Sequence, residues 1–168
     1  IAQAVRDKVK VEVAALEKKL GRKLGLAVVL VGHNPASEVY VRNKTRASEE
    51  VGIVPHDYKR EASITEPELL GLVAQLNADN SIDGILVQLP LPDHIDATRV
   101  LNAIAPAKDV DGFHPVNAGH LATGLPAIAP ATPSGCVVLA KTVHASLAGM
   151  EAVIVGRSNI VGKPLVQL

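Results

Sequence analysis

Apolar residues follow two spacings along this chain. In IAQAVRDKVKVEVAALEKKL, Val5, Val9, Leu16 and Leu20 recur at helical intervals among charges, which predicts a surface helix with one apolar stripe. LAVVLVG (26–32) is instead a continuous apolar run stopped by glycine, the mark of a buried strand. Asn34-Pro35 then opens a helix, with Asn as N-cap and Pro at the first helical position, ending near Gly52. IVPHDYK (53–59) reads as a second strand, placed nearer an edge by Pro55. Thr65-Glu66-Pro67-Glu68 is a capping box ahead of the short amphipathic helix LLGLVAQL. DGILVQLPLP (83–92) is a third strand, apolar on both faces and stopped by prolines. Strands alternating with helices at this spacing predict βαβ units and a parallel sheet.

The pattern loosens after residue 103. Pro106, Pro115, Pro126, Pro130 and Pro133, with Gly112, Gly119, Gly124 and Gly135, mark 104–135 as loop-rich or as a junction between domains. Thr132-Pro133 starts another helix, carrying Val137, Val138 and Leu147. EAVIVG (151–156) reads as a new buried strand, and GRSNIVGKP as its turn into a helix. The expected division is 1–147 for the first domain and 148–168 for the beginning of a second. The chain starts at Ile1 and stops in the middle of a pattern, so it is expected to be a piece of a longer protein.

Composition narrows the function classes. The 168 residues are 48% hydrophobic, enough for a packed core. Seventeen Lys+Arg balance 17 Asp+Glu, without the cationic excess that non-specific nucleic-acid binding requires. Aromatics are 2%, namely Tyr40, Tyr58 and Phe113, too few for a base-stacking platform. The single cysteine, Cys136, excludes a disulfide framework and a Cys-rich zinc site, and fits a reducing compartment. The longest apolar run falls far short of the roughly 20 residues that span a membrane. The expectation is a cytoplasmic protein with no membrane or nucleic-acid partner.

Four constellations could carry chemistry. In NPASEVYVRNKTR, Ser37, Tyr40 and Lys44 fall three and four apart, on one helix face. That helix starts beside the carboxyl end of the first strand, where open α/β sheets bind ligands. The alternative is a solvated lysine beside a tyrosine covering the core edge. Gln88 is a lone amide at the carboxyl end of a buried strand, and a buried amide must find partners, in a site or in loop backbone. KDVDGFHP (108–115) superficially suggests a calcium loop. With Gly112 at its sixth position, however, the first and twelfth positions would be Ala107 and Ala118. A carboxylate here could instead accept hydrogen bonds from an amino-heterocycle, and His114 and His120 read as structural or surface residues. VIVGRSNIVGKP is neither G-x-G-x-x-G nor a Walker A, since Pro164 stands where Ser or Thr would hold magnesium. A glycine at a strand end before a helix start still suits a phosphate held on backbone N–H groups.

Taken together, GHNPASEVYVRNKTR, DGILVQLPLPDHID, PAKDVDGFHPVNAGHL, PATPSGC and VIVGRSNIVGKP resemble, in order, the motif blocks of the bifunctional methylenetetrahydrofolate dehydrogenase/cyclohydrolases. The resemblance covers nearly the whole chain. Pro130-Ala131-Thr132-Pro133 departs from the family's usual Pro-Cys-Thr-Pro, and the family's Gly-rich C-terminal folate-contacting block and most of its nucleotide domain are absent. The resemblance implies an α/β fold: an N-terminal catalytic domain with a parallel sheet, followed by the start of a Rossmann-type NADP-binding domain, with the active cleft between them. It implies oxidation of methylenetetrahydrofolate and hydrolysis of the methenyl product, in one-carbon metabolism and purine biosynthesis, by a homodimer. It implies NADP in preference to NAD. Lys44 becomes the main catalytic residue, Tyr40 stacks on the folate, Gln88 positions Lys44 or water, and Asp111 binds the amino-pterin edge. Val41, Arg42, Asn43, Val87 and Leu89 flank these as substrate-binding positions, and Gly156, Arg157 and Ser158 touch the cofactor. No metal is implied. Two rivals are a non-catalytic folate- or nucleotide-binding module and a different Rossmann dehydrogenase.

Overall fold

The computed structural model describes all 168 residues, Ile1–Leu168. They divide into two compact units, Ile1–Lys108 and Asp109–Leu168. The first is an α/β unit containing α1 (Ala2–Leu20), β1 (Gly25–Val31), α2 (Pro35–Val51), β2 (Val54–Arg60), α3 (Glu66–Ala78), β3 (Gly84–Val87) and α4 (Ala97–Ala103). Its three strands are all parallel in the order β2-β1-β3, with Gly25 opposite Val54 and Leu26 opposite Gly84. β2 lies at an edge, where Pro55 costs no ladder hydrogen bond on the open side.

β1 is central, and its residues from Ala27 to Val31 are all buried. Ala27, Val29 and Val31 join Ile85 and Val87 of β3 against Leu69, Leu72, Val73 and Leu76 of α3 and Val100 of α4. The intervening β1 residues face the opposite way, toward α2, where Leu30 and Val41 line one depression. Local signals set the helices as their sequences predict. Asn34 Oδ1 accepts from Ala36 N and Ser37 N (3.0 and 3.1 Å), and Gly52 ends α2 at φ 95°. Thr65 and Glu68 exchange both bonds of the capping box at the start of α3.

Several expectations are corrected. α1 is the surface helix expected, but its one buried residue is Val13, which the stripe did not include, and Val5, Leu16 and Leu20 are exposed. α1 packs on α2, with Val13 beside Gly52 at the end of that helix. β3 is shorter than DGILVQLPLP, because Pro90 and Pro92 cannot donate to a ladder. The loop-rich passage contains α5 (Pro115–Ala122), and α4 precedes it. α6 (Ala131–Val143) stops before Leu147, and Val138 is exposed.

The largest correction is at 151–156. No strand forms there, and Val153 and Val155 are 91% and 97% exposed. An isolated extended segment has no neighbouring backbone to complete its hydrogen bonds, so an apolar sequence alone does not make a strand. The turn after it does lead into a helix, α7 (Gly162–Gln167). No helix is long and apolar enough to cross a membrane.

Candidate functional site

In the first unit the structure joins two of the residues singled out in the sequence. Lys44 Nζ donates to Gln88 Oε1 at 3.2 Å. Gln88 immediately follows β3, and its backbone N donates to Val29 O at 2.8 Å, tying it to the carboxyl end of the central strand. Its side-chain Nε2 donates to Leu89 O, also at 2.8 Å. The amide is therefore oriented: turning it over would face its NH₂ toward the ammonium and lose both bonds. Lys44 is half-buried, with its ammonium held at a defined point beyond the strand ends.

The helix carrying Lys44 is fixed at several places. Ser37, Val41, Ser48 and Val51 face inward, and Thr45 Oγ1 donates to Asp57 Oδ1 on β2 at 3.1 Å. Tyr40 lies at the rim of this face, 62% exposed, so it does not cover the core edge and its ring is open to a planar ligand. Arg42 and Asn43 are exposed and Leu89 half-buried. Val41 and Val87 are buried in the core. Near the start of α2, His33 lies between Glu61 (3.3 Å) and Glu38 (3.4 Å), whose hydrogen bonds raise its pKa, Glu61 contributing most. Nothing in the sequence pattern singled out that histidine.

In the second unit, Asp111 is half-buried in the turn leading to α5. Gly112 follows it at φ 67°, and a Cβ there would collide with the carbonyl oxygen of Ile128. Only glycine fits that approach. Asp109, which sequence reasoning left without a role, is the buried carboxylate: 2% exposed, with Oδ2 accepting from His114 N (2.8 Å) and Asn117 Nδ2 (2.9 Å). Its signal was present as an Asp five residues before a histidine-capped, proline-started helix. His114 is structural, its Nδ1 capping α5 at Val116 N, and His120 Nδ1 pairs with Pro126 O.

Gly156, Arg157 and Ser158 are exposed in the turn before α7. Ser158 Oγ accepts from Val161 N (3.1 Å) and Gly162 N (3.3 Å), and Gly162 packs on the Gly156 carbonyl too closely for any side chain. The turn is thus folded tightly on itself, with the Arg157 residue exposed at its surface. No three His, Cys, Asp or Glu side chains gather as a metal site.

An α/β unit with a parallel sheet and a lysine–amide pair beyond its strand ends defines the class. Comparison with known proteins gives the family. Residues 1–111 match the family model described as tetrahydrofolate dehydrogenase/cyclohydrolase, catalytic domain, and residues 130–168 match that family's NAD(P)-binding domain. The chain belongs to the tetrahydrofolate dehydrogenase/cyclohydrolase family. It is 56% identical over all 168 residues to the bifunctional protein FolD of Afipia carboxidovorans, and it spans 57% of that protein's length. Among solved structures, it is similar to the bifunctional FolD of Campylobacter jejuni (48% identity, TM-score 0.90, 98% of this chain and 60% of that one). It is also similar to the Trypanosoma brucei enzyme complexed with NADP and an inhibitor (36% identity, TM-score 0.92, 99% and 57%). The 5,10-methylenetetrahydrofolate dehydrogenase of the silkworm Bombyx mori aligns at TM-score 0.94 with 44% identity, over 99% of this chain and 57% of that one.

Proposed function

We propose that the intact protein oxidises 5,10-methylenetetrahydrofolate with NADP and hydrolyses the resulting 5,10-methenyl cation to 10-formyltetrahydrofolate. Family membership supports the reaction class, and the observation that carries the reading is the oriented Lys44–Gln88 pair. In the oxidation a hydride leaves the methylene carbon, and NADP, when bound, accepts it. In the hydrolysis one water adds to the cationic carbon, a carbon–nitrogen bond breaks as the ring opens, and one proton is released. Lys44 is the residue we assign to proton handling in that second step, since its side-chain nitrogen is a positioned proton-transfer group held by Gln88. Gln88 holds the Lys44 ammonium and offers a carbonyl oxygen to water.

Tyr40, with its exposed ring, is assigned to stacking on the folate. Val41, Arg42, Asn43, Val87 and Leu89 are assigned to the surrounding substrate surface. Asp111 is assigned to the amino-pterin edge, where a carboxylate can accept from two adjacent N–H donors. Gly156, Arg157 and Ser158 would hold NADP, with Arg157 on the phosphate that distinguishes it from NAD. Residues 1–147 then form the folate domain with a linker helix, and 148–168 begin the nucleotide domain. We place the protein in the cytoplasm as a homodimer, its formyl product supplying purine biosynthesis.

Mixing the intact protein with methylenetetrahydrofolate and NADP tests the reading by near-ultraviolet absorbance. The expected result is NADPH formation with no lasting accumulation of the methenyl intermediate. Absence of folate-dependent NADP reduction would overturn it.

A further inference from the structure

One buried titratable side chain has no part in the proposed chemistry. Asp109 is 2% exposed, and both of its hydrogen bonds, from His114 N and Asn117 Nδ2, fall on the same oxygen, Oδ2. A carboxylate taken out of water is costly unless it is paired, so its retention here needs a reason. Those two bonds tie Asp109 to the cap and the first turn of α5. Its own carbonyl accepts from Gly112 N at 3.3 Å, closing the turn over Val110 and Asp111. Gly112 is seated against Ile128 and Ala129, and Phe113 lines an apolar cavity of about 550 Å³ with Pro115, Leu121, Pro130 and Pro164. Asp111 is therefore suspended between two anchored points, Asp109 before it and Gly112-Phe113 after it.

We propose that Asp109 is a positioning residue that holds the Asp111 carboxylate where it recognises the folate. The proposal rests on the assignment of Asp111 to the pterin edge. Its chemistry is specific. Because both donors converge on one oxygen, an asparagine can accept both through its single carbonyl oxygen, whereas an alanine accepts neither.

The test is steady-state kinetics on the intact enzyme, with KM for methylenetetrahydrofolate and for NADP measured separately. Asp109→Ala should raise the folate KM roughly tenfold, the scale of a lost buried hydrogen bond, and leave the NADP KM within about twofold. Asp109→Asn should recover most of the loss. In an Asp111→Ala background, adding Asp109→Ala should change the folate KM no further, because the two act as one unit. If Asp109→Ala does not fold, Asn117→Ala removes one of the two bonds. It should raise the folate KM by a smaller factor that also vanishes beside Asp111→Ala. Additive effects in the double variant would overturn the proposal. So would an equal rise in both KM values, or Asp109→Asn as damaging as Asp109→Ala. An unchanged folate KM in Asp111→Ala alone would instead overturn the assignment of Asp111, and the proposal with it.

Discussion

Residues 26–31 and 151–155 carry almost the same apolar sequence, LAVVLV and EAVIV. The first forms the centre of a sheet, with Ala27 and Val29 wholly buried, and the second leaves Val153 and Val155 almost fully exposed. Propensity does not separate them, since both are rich in β-branched residues. What separates them is company. β1 has β2 and β3 to complete its backbone hydrogen bonds, α3 and α4 to cover one face and α2 to cover the other. Residues 151–156 have no strand beside them. A buried parallel strand is thus a property of a layer, and its own sequence only permits it.

Ile85, on β3 with no exposed surface, should cost about 2–5 kcal/mol when changed to Ala, through lost burial and the cavity left behind. Val153→Ala in the same 168-residue chain should stay within about 0.5 kcal/mol, as for a surface position. Urea unfolding of the two variants measures both. Equal losses would mean that residues 151–156 are packed after all.

A smaller effect sharpens the account of how the sheet is held at its amino end. Asp83 accepts from Arg22 Nη1 and Nη2 (2.8 and 2.7 Å) and from Gly25 N (2.9 Å). The Arg22 hydrogen bond, ahead of the Gly25 contact, lowers the Asp83 pKa below its ordinary 3.8. A carboxylate depressed in the folded state stabilises the fold above its unfolded pKa, and that contribution is lost as pH falls through the folded value. Asp83→Asn should therefore be less stable than the parent at neutral pH, by less than Ile85→Ala, with the gap narrowing below about pH 4. Unfolding curves between pH 2 and 7, in steps of about one unit, check this. A gap that is constant with pH would remove the Asp83 charge from the account.

Much of the first unit was legible because its signals are local. Asn34-Pro35 and Thr65 to Glu68 each carry their own capping chemistry within four residues, and the structure uses both as read. Lys44 was legible as a type on one face of a predicted helix, and Gln88 as one at the end of a predicted strand. The 3.2 Å bond between them was not, since they lie 44 positions apart in the chain. Asp109 was passed over because Asp-x-Asp-Gly reads locally as a turn, and which of two carboxylates turns inward depends on Asn117 and the cap of α5. The strand expected at 151–156 failed for the complementary reason: its local signal was strong and its partners were missing.

We propose that Lys44, held by Gln88, carries out the proton handling of methenyl hydrolysis in the intact protein. Lys44→Met in the intact enzyme keeps the apolar length of the side chain and removes the amine. Methenyl hydrolysis, followed by the loss of methenyl absorbance, should fall by roughly 10²–10⁴-fold, the usual contribution of a positioned proton-transfer group. Folate binding, measured on the same variant by titration, should survive within a few-fold. Hydrolysis at the unaltered rate, with folate still bound, would contradict the account.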